Sequence, residues 1–398
     1  MPAATPALRA ALSALPADAP WAVLDCDEEG TLIVIGEDGR VQPGPDWVEE
    51  ARALLGKGPV PCTGGPAPGL VGWLGYEAGR WCERMPAPTA PRSTPDLCLW
   101  RPRAAWWLPH APDPAPTPLP PAPLPAPVGE EARYVAAVEA LLEHIREGDV
   151  YQANLAWQTP PLPCPDPVEA WLRLRAHNPA RRGALLQIDG LHIVSNSPEL
   201  FLRVLPPQVE GRGSVARSAP IKGTAPGTAA GRAHLEASAK ERAELTMIVD
   251  MVRNDLGRVA RPGGVRAHPR GLVRCGDLWH AEQLVEAEGP EGVDALDWVR
   301  AAFPPASVTG APKVRAMELI AALEAAPRGV YTGAIGWLGI DGDAHLNVAI
   351  RTLICAGGVA RLHVGAGIVA ASLPAAEWAE TCAKAGAVLR ALGAPPSS

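Results

Sequence analysis

Lysine is scarce in this chain. Most of its 36 basic residues are arginine, against 43 Asp and Glu, for a formal charge of −7. No basic run occurs, which gives no reason to expect a nucleic acid or an anionic membrane surface as partner. The first residues, MPAATPALRAALSALPADAPW, hold no compact apolar stretch, so neither a secretion signal nor a membrane span is expected there. The eight cysteines (Cys26, Cys62, Cys82, Cys98, Cys164, Cys275, Cys355 and Cys382) include no C-x-x-C pair. That argues against a zinc site or a disulfide frame and for reduced thiols in the cytoplasm. No internal repeat is present.

What is there suffices for a large core. The 398 residues, 47% of them hydrophobic, fit two or three domains, or one interleaved α/β body, at roughly 150 residues per domain. Pro109 to Pro127 reads PHAPDPAPTPLPPAPLPAP, too rich in proline for a helix or central strand. This divides the chain into a strand-rich region (1–108), a connector (109–128) and a longer region (129–398). WAVLDCDEEGTLIVIGEDGRV predicts a hairpin turning at Asp27–Gly30. Tyr134, Val138, Leu141, Leu142 and Ile145 predict a helix closed by Gly148. Strands are expected in VYQANLAWQ, ALLQID, LHIVSN and ELFLRVL. A single long helix is expected over 233–256, with Leu245, Ile248, Val249 and Val252 as its apolar stripe and Gly257 ending it. An antiparallel meander is expected over 330–340, 345–354 and 359–365, and a last helix over 375–392.

Several residues stand out for chemistry. Glu241 and Glu244 lie one turn apart on one helix, Glu377 and Glu380 likewise on another. Such pairs could face each other and hold a hard cation, although solvated helix faces look the same and Glu380 with Lys384 makes an ordinary i,i+4 ion pair. VGAGI (364–368) could offer backbone N–H groups to an anion or be a strand-end turn. Arg351, mid-strand in AIRTL, reads equally well as a carboxylate anchor or as a solvent-facing residue. Lys222 in PIKGT is followed by a glycine that lets a ligand approach the backbone.

Taken in order, PIKGT, RAELTMIVDMVRNDLGRV, SVTGAPKVRAMELI, GVYTGAIGWLG, NVAIRTL and VGAGIVAASLPAAEWAETCAKA resemble the chorismate-utilising enzymes over residues 130–392, and LVGWLGYEAGR does so more weakly. The resemblance implies two packed, mainly antiparallel sheets with outer helices, in one fold that interleaves both halves of the chain. It implies Lys222 as a nucleophile toward C2 of chorismate and Glu199 as proton-transfer partner. Gly223, Thr224, Tyr331, Arg351, Gly365, Ala366 and Gly367 match substrate-contacting positions. Glu244 and Glu380 match Mg²⁺ ligands, with Glu241 and Glu377 beside them. Members that make anthranilate carry alanine in place of this lysine, whereas those that aminate C4 carry PIKGT. Members that add water use a lysine where Gln152 stands here. The resemblance therefore implies amination of chorismate at C4, toward 4-aminobenzoate and folate. The ammonia is expected from a separate glutamine amidotransferase subunit, because no glutaminase segment is evident. An anthranilate-forming enzyme and a non-catalytic chorismate-binding homologue are the alternatives. Gln283 matches the position of a substrate-contacting histidine, with His280 out of register, and no L-L-E-S motif for feedback tryptophan is evident. Thr309 and Lys313 are expected near the site, without a role.

Overall fold

A computed structural model describes residues 5–391 apart from 28–29, 86–93, 110–128, 178, 208, 210 and 277. Most of the proline-rich connector thus lies outside the described residues. The hairpin forms as its pattern predicts: Trp21–Cys26 runs antiparallel to Gly30–Ile35, with Trp21 opposite Ile35. Both strands are buried almost throughout, because each is interior to a sheet covered on both faces.

Two large sheets and one small one make up the molecule. The larger has eleven strands and runs, in spatial order, through Gly310–Ala311, Gln152–Gln158, Val359–Val369, Thr352–Ala356, Leu191–Ser197, Arg182–Ile188 and then the N-terminal hairpin. The eight-stranded sheet includes Leu200–Leu205, Ala344–Val348, Ala334–Gly339 and Pro68–Leu74. Early and late parts of the chain pair directly in both. Trp21–Cys26 lies against Arg182–Ile188, and Pro68–Leu74 against Ala334–Gly339. Among the described residues, pairing is antiparallel apart from Cys62–Thr63, which runs parallel to Ala104–Leu108.

A chain with 13 tryptophans and two phenylalanines fills its core with indoles. Trp73, Trp100 and Trp337 are fully buried between the sheets, and Trp107 meets Trp337 edge-on with ring centroids 5.9 Å apart. Helices Glu130–Arg146, Pro167–His177 and Pro374–Ala391 cover the outer face of the larger sheet, and Trp47–Leu55, Ala239–Gly257 and Ala295–Ala302 that of the smaller. No described helix is long and apolar enough to cross a membrane.

The core between the sheets stops short at one end. It takes side chains from the hairpin as far as Ile354, but none from the last long strands, Val359–Val369 and Gln152–Gln158. On those strands Ala153, Leu155, Val364, Ala366 and Ile368 face the outer helices. By the alternation of a pleated strand, Gln152, Asn154, Gly365 and Gly367 face inward.

Three expectations change. The helix over 233–256 is two, Ala229–Ala237 and Ala239–Gly257, because Ser238 adopts an extended conformation and its hydroxyl caps the second by accepting from the Glu241 N–H at 3.3 Å. The strand over 345–354 is also two, Ala344–Val348 in one sheet and Thr352–Ala356 in the other. The chain crosses between them at Ala349–Arg351. Arg351 is thus not mid-strand but takes the left-handed conformation, φ +52°, where the chain changes sheet. Finally, Gly365–Gly367 is no turn; it lies inside the continuous strand Val359–Val369.

One buried cation ties the parts together. Arg328, 1% exposed, donates to the carbonyls of Val308 and Asn154, to Thr332 Oγ1 and to Glu324, and stacks over the Tyr76 ring at 4.5 Å. Glu77 accepts from the Arg328 and Gly329 N–H groups. Arg328→Ala leaves the enclosed Glu324 carboxylate without its cation, held only by the Ala156 N–H at 2.8 Å. The expected loss is about 3–5 kcal/mol of unfolding free energy, measured in denaturant.

Candidate active site

The small three-stranded sheet, absent from the expected architecture, carries the lysine. Ile221–Pro226 pairs with Leu278–Glu282, which pairs with Gly271–Cys275. Lys222 stands opposite Ala281 and Thr224 opposite His280, so Gly223 is the extra residue of a bulge, at φ +72°. That left-handed conformation favours glycine, and a Cβ there would stand 2.7 Å from Glu241 Oε2, which would have to swing aside.

The bulge aims Lys222 over the bare end of the larger sheet. A Cβ at Gly367 would lie 3.2 Å from Lys222 Nζ and 2.8 Å from Gln152 Nε2; one at Gly365 would lie 2.8 Å from Asn154 Oδ1 and 3.0 Å from the Tyr331 hydroxyl. The two glycines thus make a floor under four polar side chains. Lys222 as a residue is half-buried, but its amine is enclosed. Burial lowers its pKa, opposed by the charge of Glu199 and, more weakly, by Glu244 and Glu380. Burial in turn pushes Glu199 up to about 7, with Ser307, the Lys222 charge and the Ile221 N–H pulling the other way.

Several buried polar atoms here have no partner: Gln152 Oε1, Asn154 Oδ1, Glu199 Oε1 and Arg351 Nη1. Unmet buried groups cost free energy, so these four have hydrogen-bonding capacity to offer a polar ligand. Tyr331 is buried and stacks on His363, with centroids 5.4 Å apart; burial raises its hydroxyl pKa, so it stays a donor. Arg351 has an enclosed guanidinium whose Nη2 sits 3.5 Å from His280 Nε2. His280, 3% exposed, is held down to about 4 by burial and then by the Arg351 charge. A neutral ring places its proton on Nδ1, which lies 3.2 Å from the Gly223 carbonyl and 3.1 Å from Thr224 Oγ1, leaving Nε2 as acceptor toward Arg351.

This corrects the reading of the histidine. His280, not Gln283, faces the site; Gln283 turns away and donates to the His268 carbonyl at 2.8 Å. Thr224 is exposed at the rim. Ala366, on the floor strand, sends its methyl the other way into the core. Lys313 is spoken for: its ammonium bonds Asp255 at 2.6 Å and the Ala302 and Pro304 carbonyls, while Thr309 bonds the Pro305 carbonyl.

The four helix acids gather beside the lysine. Glu241 raises the pKa of Glu244, as does Glu377, and Glu380 raises that of Glu377, each adding to burial. Burial pushes Glu380 up too, but Lys384, at 2.8 Å, more than offsets it and the net shift is downward. Lys384 also donates to the Gly365 carbonyl at 3.0 Å, so the expected surface ion pair borders the floor. An all-carboxylate donor set with mutual repulsion suits Mg²⁺, which takes oxygen ligands. No three of these acids bring oxygens within 4.8 Å of one another. The only described trio that does, with one His nitrogen, is His144, Glu147 and Asp149 elsewhere, and there Asp149 is already paired with Arg315.

Gly367→Ala tests the floor. A methyl there enters the space under the lysine, while alanine suits a strand at least as well as glycine. The expected result is a fall in kcat/KM for the chain's substrate of at least about a hundredfold, with the melting temperature kept.

Solved structures share the fold. The solved anthranilate synthase component I from Streptococcus pneumoniae TIGR4 superposes with a TM-score of 0.74 over 97% of this chain and 98% of its own, at 24% identity. The menaquinone-specific isochorismate synthase MenF of Escherichia coli does so with a TM-score of 0.71 over 94% and 88%, at 18% identity. Anthranilate synthase component 1 of Streptomyces coelicolor is 35% identical over 88% of this chain and 78% of its own length. Aminodeoxychorismate synthase component 1 of Bacillus subtilis is 38% identical over 66% of this chain and 56% of its own length. A family described as chorismate binding enzyme matches residues 35–390, and the chain belongs to that family of chorismate-utilising enzymes.

Proposed function

We propose that this protein is the chorismate-aminating component of an aminodeoxychorismate synthase, acting in the cytoplasm toward 4-aminobenzoate and folate. One observation carries the reading: the enclosed amine of Lys222 over a glycine floor, next to a carboxyl that titrates near neutrality. An amine held below its usual pKa of about 10.4 has a usable neutral fraction. Free, it attacks C2 of chorismate; the ring electrons shift and the C4 hydroxyl leaves as water with a proton from Glu199. Ammonia then adds at C4, the electrons shift back, and the bond from C2 to Lys222 breaks. The net change is chorismate plus ammonia to 4-amino-4-deoxychorismate plus water.

Arg351, the Tyr331 hydroxyl and the amides of Gln152 and Asn154 hold and orient the dianionic substrate. Glu244 and Glu380, with Glu241 and Glu377 behind them, would bind Mg²⁺. When bound, the ion neutralises the ring carboxylate. Ammonia is supplied by a glutamine amidotransferase subunit, which suits the "component 1" in a relative's name. The eight free thiols suit a reducing compartment.

The second reading, anthranilate synthesis, is favoured by relatives of that name at similar identity. Incubation with chorismate, an ammonium salt and Mg²⁺, followed by product identification, separates the two. The account expects 4-amino-4-deoxychorismate; strongly fluorescent anthranilate formed without a lyase overturns it.

A further inference from the structure

The chain also changes sheet just before Glu199. Leu191–Ser197 belongs to the larger sheet and Leu200–Leu205 to the eight-stranded one, so Pro198 and Glu199 lie between them, outside both ladders. This crossing is tied to the one at Ala349–Arg351, because the Asn196 N–H donates to the Arg351 carbonyl at 3.1 Å. A carboxyl placed here has no strand to aim it. Separate bonds hold its backbone instead. The Glu199 N–H donates to Ser197 Oγ at 3.2 Å, and the Glu199 carbonyl accepts from the Val348 N–H at 3.0 Å. The Pro198 carbonyl accepts from Arg182 Nη1 at 2.7 Å.

Arg182 is buried and engaged along its other edge. Its Nε and Nη2 grip the Asp27 carboxylate at 3.1 and 2.9 Å, and His345 Nε2 lies 2.9 Å from the same carboxylate. A planar fork on a carboxylate fixes the orientation of the whole guanidinium. Asp27 comes from the N-terminal hairpin, where it takes the left-handed conformation at φ +46° and its N–H donates to the Arg181 carbonyl at 3.1 Å. A buried ion pair is a weak way to gain stability. This one has a third arm, and that arm ends on the peptide that carries Glu199.

Resting on the role given to Glu199 in the reading above, we infer that Arg182 is a positioning residue for the reaction. Held by Asp27, it fixes the Pro198–Glu199 peptide and so sets where the Glu199 carboxyl meets the substrate. The N-terminal hairpin thereby serves the chemistry without touching chorismate. Burial dominates at the Glu199 carboxyl, and the Arg182 charge is among the forces that oppose it.

A double-mutant cycle in the full chain tests this, with chorismate consumption followed under saturating ammonium chloride and Mg²⁺. Arg182→Met keeps an unbranched stem and loses the fork. The expected result is a fall in kcat of about tenfold or more, since a misplacement of about 1 Å at the acid is enough, while the KM for chorismate stays within about twofold. In a Glu199→Gln background the same substitution should lower kcat by less than about twofold further, because no acid is left to aim. An arginine that only supports the fold gives equal falls in both backgrounds, and that result overturns the inference. So does an Arg182→Met kcat within about twofold of wild type. Should Arg182→Met fail to fold, Asp27→Asn, which suits the same left-handed turn and releases the fork, takes its place in the cycle and is read in the same way. If anthranilate is what accumulates, the aminating reading fails, while the cycle, which counts chorismate lost, still decides the role of Arg182.

Discussion

Lys222→Ala should abolish amination, by at least about a thousandfold in kcat, while leaving chorismate bound with an affinity within about tenfold of wild type. The asymmetry follows from the geometry. The groups proposed to hold the ligand are Arg351, Tyr331, Gln152, Asn154 and the helix acids, and none of them has a hydrogen bond to the lysine on which its place depends. Lys222 sits on a separate strand, held by the bulge at Gly223 and the ladder to Leu278–Glu282. Removing its side chain leaves the floor and the orphaned acceptors where they were. Calorimetric titration of chorismate in the presence of Mg²⁺, set beside the rate, checks both halves. A variant that aminates chorismate at more than a few per cent of the wild-type rate removes the lysine from the chemistry.

Glu199→Gln should lower the rate about 10²–10⁴-fold, the usual range for losing a general acid. It should also change the shape of the pH profile. On the proposed roles, the wild-type rate should climb as Lys222 loses its proton, at a pH below the usual lysine range, and fall as Glu199 loses its own, near pH 7. Glutamine cannot ionise, so the descending limb near pH 7 should vanish. Folding gives an independent control. A carboxyl raised from about 4.3 in the unfolded chain to about 7 contributes stability that is complete at acid pH and lost as pH rises through the folded value. Glutamine mimics the protonated form, so at pH 8 the variant should melt no lower than wild type. A descending limb that persists in the variant assigns it to another group.

Much of this site was legible in the sequence, because ordered motifs constrain chemistry strongly even where they say little about topology. Lys222, Glu199 and the four acids could be named from their neighbours in the chain. The structure places Lys222 within electrostatic reach of Glu199, Glu244 and Glu380. What stayed hidden was non-local. Strand periodicity shows which side chains share a face, but not which sheet a strand joins. AIRTL therefore reads as one strand, although the chain changes sheet at Ala349–Arg351, and the left-handed conformation there falls on an arginine that gives no glycine signal. His280 was passed over because the motif was matched on the letters Leu284-Val285, which puts Gln283 in the histidine's place, whereas the ladder sets His280 opposite Thr224. The break at Ser238 was missed because good helix formers, Leu235, Glu236 and Ala237 before it and Ala239, Lys240 and Glu241 after it, read as one run, and only the hydroxyl capping the Glu241 N–H marks the new start. Asn154 gave no signal beyond its strand, and Gln152 only the absence of a water-activating lysine; their place over the floor arises from facing two glycines on the neighbouring strand.

The most direct measurement is the mass of the peptide containing Lys222 after the full chain has met chorismate and Mg²⁺ without ammonia. Attack by the enclosed amine predicts a peptide heavier by chorismate less one water, with the gain lost when ammonium is added. An unmodified Lys222 in an enzyme that aminates chorismate once ammonia is supplied would contradict the account at its centre.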